Sequence, residues 1–186
     1  MLSLLIGART EELRALRWED VELDGRPDVI PPVPPSISVL RSVREGGDTK
    51  TRQSRRRLAM PTRCVDVLQE HKARQANDRE RAGKRWTELG VVFASAVGTE
   101  QNPRNVSRMF REVLEAAGLT GEEWTPREMR HSFVSLLSDS GVPLEHISRL
   151  VGHSGTAVTE SVYRQQIRPV MEEGATAMDR IFPGTV

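Results

Sequence analysis

Residues Thr125–Arg164, reading TPREMRHSFVSLLSDSGVPLEHISRLVGHSGTAVTESVYR, decide how the rest of the chain is understood. Thr125-Pro126-Arg127-Glu128 is a helix-start signature: Thr125 caps free amides, Pro126 suits the first helical position and Glu128 reaches back to complete a capping box. On that helix Arg127, Arg130, His131 and Val134 share one side, while Met129, Phe133, Leu136 and Leu137 form the apolar stripe expected to meet a core. Two guanidinium forks thus leave the first turn of a helix whose amide dipoles already favour an anion, an arrangement suited to a phosphate. The segment ends at Tyr163, the only tyrosine in the chain. Cationic forks, a histidine and a lone tyrosine within one stretch point to phosphate chemistry with tyrosine as the nucleophile.

Within this stretch Ser140-Gly141 predicts a turn and Pro143 the start of a second helix, with Leu144, Ile147, Leu150 and Val151 inward and Gly152 ending it. His153 then follows a helix end, where it either makes a fold contact or points into a cleft. Pro169 separates the Tyr163 segment from a final apolar stripe of Ile167, Val170, Met171, Met178, Ile181 and Phe182.

Upstream, residues 2–6 read as the last turn of a helix that stops at Gly7-Ala8-Arg9. Thr10 is expected to cap a new helix with Glu11 and Glu12 in its first turn and Leu13 and Leu16 on its buried side. Arg9 sits at the junction of the two helices. The prolines at 27, 31, 32, 34 and 35 exclude a helix there. Ile37, Val39 and Val43 alternate as in a strand, and Leu58–Met60 offer a return strand. The segment EGGDTKTRQS between them carries Lys50 near a hairpin tip, either as a plain solvated loop or as a basic arm against DNA. A helix is predicted from Thr62 to Gly83 with Val65, Leu68 and Ala76 inward, then a short buried extended piece at Val91–Phe93. Asn102-Pro103 starts an amphipathic helix with Val106, Phe110, Val113, Leu114 and Ala117 on one stripe, ended by Gly118 and assigned to the core.

The 186 residues suffice for one sizeable domain, with 37% hydrophobic and 28% charged residues. The net charge is only +1, yet Arg41, Arg44, Lys50, Arg52, Arg55, Arg56 and Arg57 face only Glu45 and Asp48 in one short stretch, a local excess of +5. Beside a phosphate-suited helix, such a patch reads as a nucleic-acid surface as well as a solvated face. Cys64 is the only cysteine, so no intrachain disulfide is expected, which fits a reducing compartment and a small buried role. No apolar run reaches membrane-spanning length, and the expected location is cytoplasmic. His71, His131, His146 and His153 lack metal-ligand spacing, and no glycine-rich loop precedes a lysine, so neither a metal nor a nucleotide cofactor is expected. A tyrosine attacking a phosphodiester needs neither: it needs donors for the non-bridging oxygens, a task for arginine, and an acid for the departing oxygen, a task for lysine.

The run from Gly7 to Asp20, GARTEELRALRWED, resembles the first arginine box of the tyrosine recombinases, the phage-integrase family. MRHSF at Met129–Phe133 is similar to the second arginine box, LVGHS at Leu150–Ser154 to the third, and SVYR at Ser161–Arg164 to the nucleophile box, with His153 and Tyr163 ten residues apart. Integrases of phages and integrative plasmids from high-GC bacteria are the nearest resemblance. It implies an α+β fold: a mainly helical tyrosine-recombinase catalytic domain with a small antiparallel β-sheet. It further implies that Arg9 and Arg130 clamp the scissile phosphate and that Tyr163 forms a 3′-phosphotyrosyl link. Lys50 would act as general acid and His153 would donate to the phosphate. Arg127 stands where the family commonly has histidine; it can donate to a phosphate oxygen but cannot readily accept a proton. Glu12 matches an acidic family position and would orient local structure.

Double-stranded DNA is the implied partner, met by Arg41, Arg44, Arg52 and Arg55, with a monomer alone and a tetramer on DNA. The resemblance makes residues 1–186 a catalytic domain lacking the family's N-terminal DNA-clamping domain. Residues 166–186 would form a tail that docks on a neighbouring protomer or packs on its own. Two competing readings share these features: a type IB topoisomerase-like enzyme, and a non-catalytic DNA-binding module derived from a recombinase.

Overall fold

The computed structural model describes residues 1–43 and 55–152, apart from the side chain of Glu123. Lys50, Arg44, Arg52, His153, Tyr163, the hairpin tip and the tail from 166 onward therefore lie outside the described residues. Helix α1 (Leu2–Ile6) ends at Gly7 in the left-handed region, and α2 (Thr10–Arg14) begins with Arg9, not Thr10, as its N-cap. Strands β1 (Val21–Glu22), β2 (Ser36–Val39) and β3 (Arg56–Ala59) form an antiparallel sheet in that order, with Ile37 opposite both Val21 and Leu58. The longest helix among the described residues is α3 (Thr62–Ala82); α4 (Pro103–Ala116), α5 (Glu128–Asp139) and α6 (Leu144–Val151) follow. The fold is the mainly helical α+β arrangement with a small antiparallel sheet that the sequence predicts.

Two apolar clusters hold these elements. The larger joins Leu2, Ile6 and Leu16 to Ile37, Val39 and Leu58 of the sheet and to Cys64, Val65 and Leu68 of α3. The smaller packs Phe133 and Val134 of α5 against Ile147 and Val151 of α6. Val92 is fully buried, its N–H donating to the Leu16 carbonyl at 2.8 Å, and Val91 is buried and bridges Arg17, whereas Phe93 is only partly buried and the chain bends at 92–93.

Several expectations about buried faces are corrected. On α5 the inward residues are Arg130, Phe133 and Val134, with Leu137 partly covered, whereas Leu136 is 55% exposed. The stripe is turned because Arg130 is drawn into the interior by two backbone carbonyls described below. On α6, Ile147 and Val151 are buried but Leu150 is exposed. On α3, Ala76 is exposed and Gln75 turns inward instead, its amide donating to the Val91 and Val92 carbonyls. Val43 is not in a strand; its N–H donates to the Glu11 carbonyl. The largest correction concerns α4. Only Leu114 is buried along it, and Val113 is 66% exposed. Its Val106 and Met109 line an apolar cavity of about 450 Å³ together with Leu13, Leu68 and Phe93, so its stripe flanks the core without joining it.

Gly7 is where local conformation and packing coincide. Its φ of 67° is one that side chains disfavour, and a Cβ there would come within 2.5 Å of the Phe133 ring. Gly7→Ala combines left-handed backbone strain with a clash in the core and is expected to destabilise by about 2–4 kcal/mol. Urea denaturation of the two proteins measures this, and equal midpoints at equal slopes would refute the close approach of the Phe133 ring to Gly7.

Candidate active site

The site is built where the α1–α2 junction, the start of β3, α5 and the end of α6 meet. Arg130, one turn into α5, is buried. Its guanidinium donates through Nη1 to the Gly7 carbonyl and through Nη2 to the Val151 carbonyl. Of the five N–H donors of a guanidinium, two are thereby fixed by described residues. Burial is the main influence on Arg130. Together with the charges of Arg9, Arg56 and Arg127, and against the pull of Glu12, it brings the pKa down to about 9, so the group is cationic at neutral pH.

Arg9 comes from the other end of the described chain to the same place. Its Nη1 donates to Glu12 Oε1 at 2.7 Å and its Nη2 to the Gly152 carbonyl at 3.4 Å, leaving the side chain 30% exposed. The Arg9 backbone N–H donates to Glu12 Oε2 at 2.7 Å, the reach-back half of a capping box. The first and second arginine boxes are thus brought together, with both guanidinium groups anchored on consecutive carbonyls at the end of α6. A helix C-terminus carries orphan carbonyls and partial negative charge, which hold cations well.

Glu12 and Arg56 complete the cluster. Glu12 is almost fully buried and takes a bidentate ion pair from Arg56, with Nη1 to Oε1 at 3.0 Å and Nη2 to Oε2 at 2.9 Å. Burial pushes the Glu12 carboxyl up, but the Arg56 hydrogen bond and charge, aided by Arg9, more than offset this and hold it below the usual carboxylate range. Arg56 Nε donates in turn to the Leu150 carbonyl at 2.7 Å. Sequence reasoning counted Arg56 only within a basic run and gave Glu12 no charge partner. The signal was present: Arg56 lies two residues before buried Leu58 and so on the same face of β3. Glu12 likewise follows buried Ala8 by four residues and precedes buried Leu16 by four, on the covered side of α2.

Arg127 is the N-cap of α5 and is exposed, yet close enough for its charge to weigh on Arg130. The helix starts at Glu128, not at Pro126, and the Glu128 carboxylate accepts from the Thr125 N–H at 2.7 Å and from its hydroxyl. Thr125 therefore donates its side chain to Glu128 and does not cap an amide. Of the DNA-facing candidates, Arg41 is engaged by Asp20 and, at 3.0 Å, by Glu19, so a phosphate there would compete with two carboxylates. Arg55 is exposed just ahead of β3.

A helical domain that gathers arginines of separate boxes at one helix end defines a class of protein: the chain belongs to the Phage integrase family, whose sequence profile matches residues 1–168. Among its relatives, an integrase of Streptomyces ambofaciens is 64% identical over 183 residues, which are 98% of this chain and 47% of that protein. A XerC-like tyrosine recombinase of Caldanaerobacter subterraneus subsp. tengcongensis is 24% identical over 98% of this chain and 48% of its own length. The fold is similar to that of the XerA recombinase, with a TM-score of 0.68 at 21% identity over 100% of this chain and 57% of the other. It is equally similar to the Tn1549 transposon integrase in complex with transposon right-end DNA, at 0.68 and 20% identity over 98% and 57%. The chain spans about half the length of the curated relatives it matches.

Proposed function

We propose that this chain is the catalytic part of a site-specific DNA recombinase of the integrase type, which breaks and rejoins strands through a covalent 3′-phosphotyrosyl intermediate. The observation that carries the reading is the convergence of Arg9 and Arg130 on the consecutive carbonyls of Val151 and Gly152, directly before His153 in sequence. Two guanidinium groups held there can take the non-bridging oxygens of one phosphate and stabilise the charge that develops in the transition state. The Tyr163 oxygen attacks the phosphorus as its hydroxyl proton passes to solvent, the bond to the 5′ oxygen breaks, and Lys50 gives that oxygen its proton. The 5′ hydroxyl of another strand then reverses the step, so the phosphodiester is conserved and no nucleotide or metal is consumed. His153 and Arg127 add donors to the phosphate.

In this reading double-stranded DNA is the partner, with Arg41, Arg44, Arg52 and Arg55 on its backbone, and a monomer assembles as a tetramer on the site. Residues 1–186 correspond to the catalytic domain and 166–186 to a tail that docks on a neighbouring protomer. Relatives of about twice this length and a transposon integrase bound to DNA support it. Among the described residues no helix is long and apolar enough to cross a membrane.

The test is covalent trapping by the full-length protein on a nicked suicide duplex that carries the strand-exchange site, with Tyr163→Phe as the control that cannot form the adduct. A protein that binds this duplex and yields no adduct would be a binding module and not a recombinase. The same assay addresses Arg127. Arg127→Ala is expected to slow adduct formation about tenfold, less than loss of a fully enclosed donor because the side chain is exposed. Wild-type rates in that variant would remove Arg127 from the site.

A further inference from the structure

The arginine cluster contains a member that the proposed chemistry does not use. The last three carbonyls of α6 and its cap are each taken by a different arginine: Leu150 by Arg56, Val151 by Arg130 and Gly152 by Arg9. Three separate elements, β3, α5 and the α1–α2 junction, are thereby pinned to one helix end. Arg9 and Arg130 belong to the boxes expected to meet the phosphate. Arg56 differs in where its fork points. Its side chain is 8% exposed, both terminal nitrogens lie on the two oxygens of Glu12, and its Nε lies on the Leu150 carbonyl. Neighbouring Arg57 instead donates to Ser36 Oγ at 2.8 Å across the sheet, so Arg56 alone of this pair turns toward the cluster.

We infer that Arg56 is a positioning residue for strand cleavage, holding Glu12 and the end of α6 in register so that Arg9 and Arg130 present their forks to one phosphate. The inference rests on the recombinase reading above. Its geometry has two legs. Through Glu12, Arg56 fixes Arg9, because the same carboxylate accepts from Arg9 Nη1, from the Arg9 N–H and from both terminal nitrogens of Arg56. Through Leu150, it fixes the turn of backbone on which Arg130 and Arg9 are themselves anchored. Gly152 belongs to the same device. It closes α6 with a φ of 67°, and a Cβ there would meet Arg56 Nη1 at 3.0 Å, so the guanidinium seats directly against the helix cap. A lysine could neither span both carboxylate oxygens nor reach the carbonyl at the same time, because it offers a point charge in place of a planar fork.

The experiment uses the full-length protein and has two arms. In the first, single-turnover adduct formation and duplex affinity are measured on the nicked suicide substrate for Arg56→Lys, Arg56→Met, Glu12→Gln and Arg56→Met combined with Glu12→Gln. The combined variant removes both buried charges together and so guards against simple unfolding. Displacing a positioned group by about an ångström slows reaction on the order of 10²-fold, and that loss is expected for Arg56→Met, with affinity within about threefold of wild type. Arg56→Lys should recover part of the rate, and the combined variant should lose no more than its worse single parent, as for residues acting as one unit. In the second arm, hydrogen exchange of peptides covering residues 144–152 should speed up about tenfold in Arg56→Met while α3 peptides do not change. Adduct formation within threefold of wild type, affinity falling as far as rate, multiplicative losses in the combined variant, or unaltered exchange would each overturn the positioning role. If wild type binds and forms no adduct, the recombinase reading fails on its own, and the exchange arm still decides whether Arg56 clamps α6.

Discussion

Replacing Arg130 by lysine is expected to reduce single-turnover strand cleavage about 10³-fold while DNA binding is largely kept, because removing one pre-aimed donor from such a site typically costs 10²–10³ in rate. The residue does two things at once. Its two terminal nitrogens bridge the carbonyls of Gly7 and Val151, which belong to the α1–α2 junction and to α6. In the proposed reaction its other donors, which have no partner among the described residues, would meet a phosphate oxygen. Lysine keeps the charge but loses the fork, so it can satisfy one carbonyl or the phosphate, not all three. One buried carbonyl is then left without a partner, a penalty of about 1–3 kcal/mol. Thermal melts alongside the cleavage assay separate the two effects: the melting temperature should fall by several degrees, far too little to explain the rate. Cleavage within tenfold of wild type by a folded Arg130→Lys protein would show that the bridging, fork-like geometry is not what the reaction needs.

Arg130 also shows which parts of this fold could be read from the chain and which could not. Signals confined to a few residues transferred in part: Arg9 and not Thr10 caps α2, and Thr125 donates to Glu128 instead of capping α5, but others held. Pro103 after Asn102 starts α4, whose cap accepts from the Arg104 N–H at 2.9 Å, and Gly152 in the left-handed region ends α6. The strand alternation at Ile37 and Val39 and the helix beginning at Thr62 are as expected. What also failed were choices between faces that the local pattern leaves nearly balanced. On α5, Phe133 belongs to either candidate stripe. The choice falls to the side with Arg130 because Gly7 and Val151, far away in sequence, offer carbonyls to a charged residue. A hydrophobicity argument places arginine outside and so reads that helix turned. On α4 the stripe is strong, yet amphipathicity states only that a face seeks cover, not that the described residues supply it.

The site divides in the same manner. Arg9 and Arg130 were named from their boxes and do meet; the order of the boxes carried that information. Glu12 and Arg56 escaped as a pair because an ion pair spanning 44 residues leaves no local spacing rule. Only the coincidence that each sits on a buried face hinted that each needed a charged partner, since a buried charge is rarely left alone.

The second large effect follows from that pair. Glu12→Ala is expected to destabilise the protein by about 3–5 kcal/mol, because it strands a buried charge instead of removing a surface one. The Glu12 and Arg56 side chains are 3% and 8% exposed. Without the carboxylate, Arg9, Arg56 and Arg130 lose the anion that the described residues place among them, and the charges of Arg9 and Arg56 already weigh on Arg130. For a chain of this size the loss corresponds to a drop in melting temperature of about 10 °C. Glu12→Gln keeps the shape and some hydrogen bonds and should lose less. The carboxylate also sets a pH dependence whose sign is fixed. Its folded-state pKa lies below the ordinary value of 4.5, since the Arg56 and Arg9 interactions outweigh burial. The stabilisation is therefore complete above that value and is lost as pH falls through the lower, folded-state value. Melts of wild type and Glu12→Gln between neutral pH and the acid range should converge as Glu12 takes up its proton, with wild type losing stability more steeply. A constant gap between the two curves across that range would mean that Glu12 is not the ionised centre of the cluster. The arginines would then be held chiefly by backbone carbonyls, those at the end of α6 and that of Gly7.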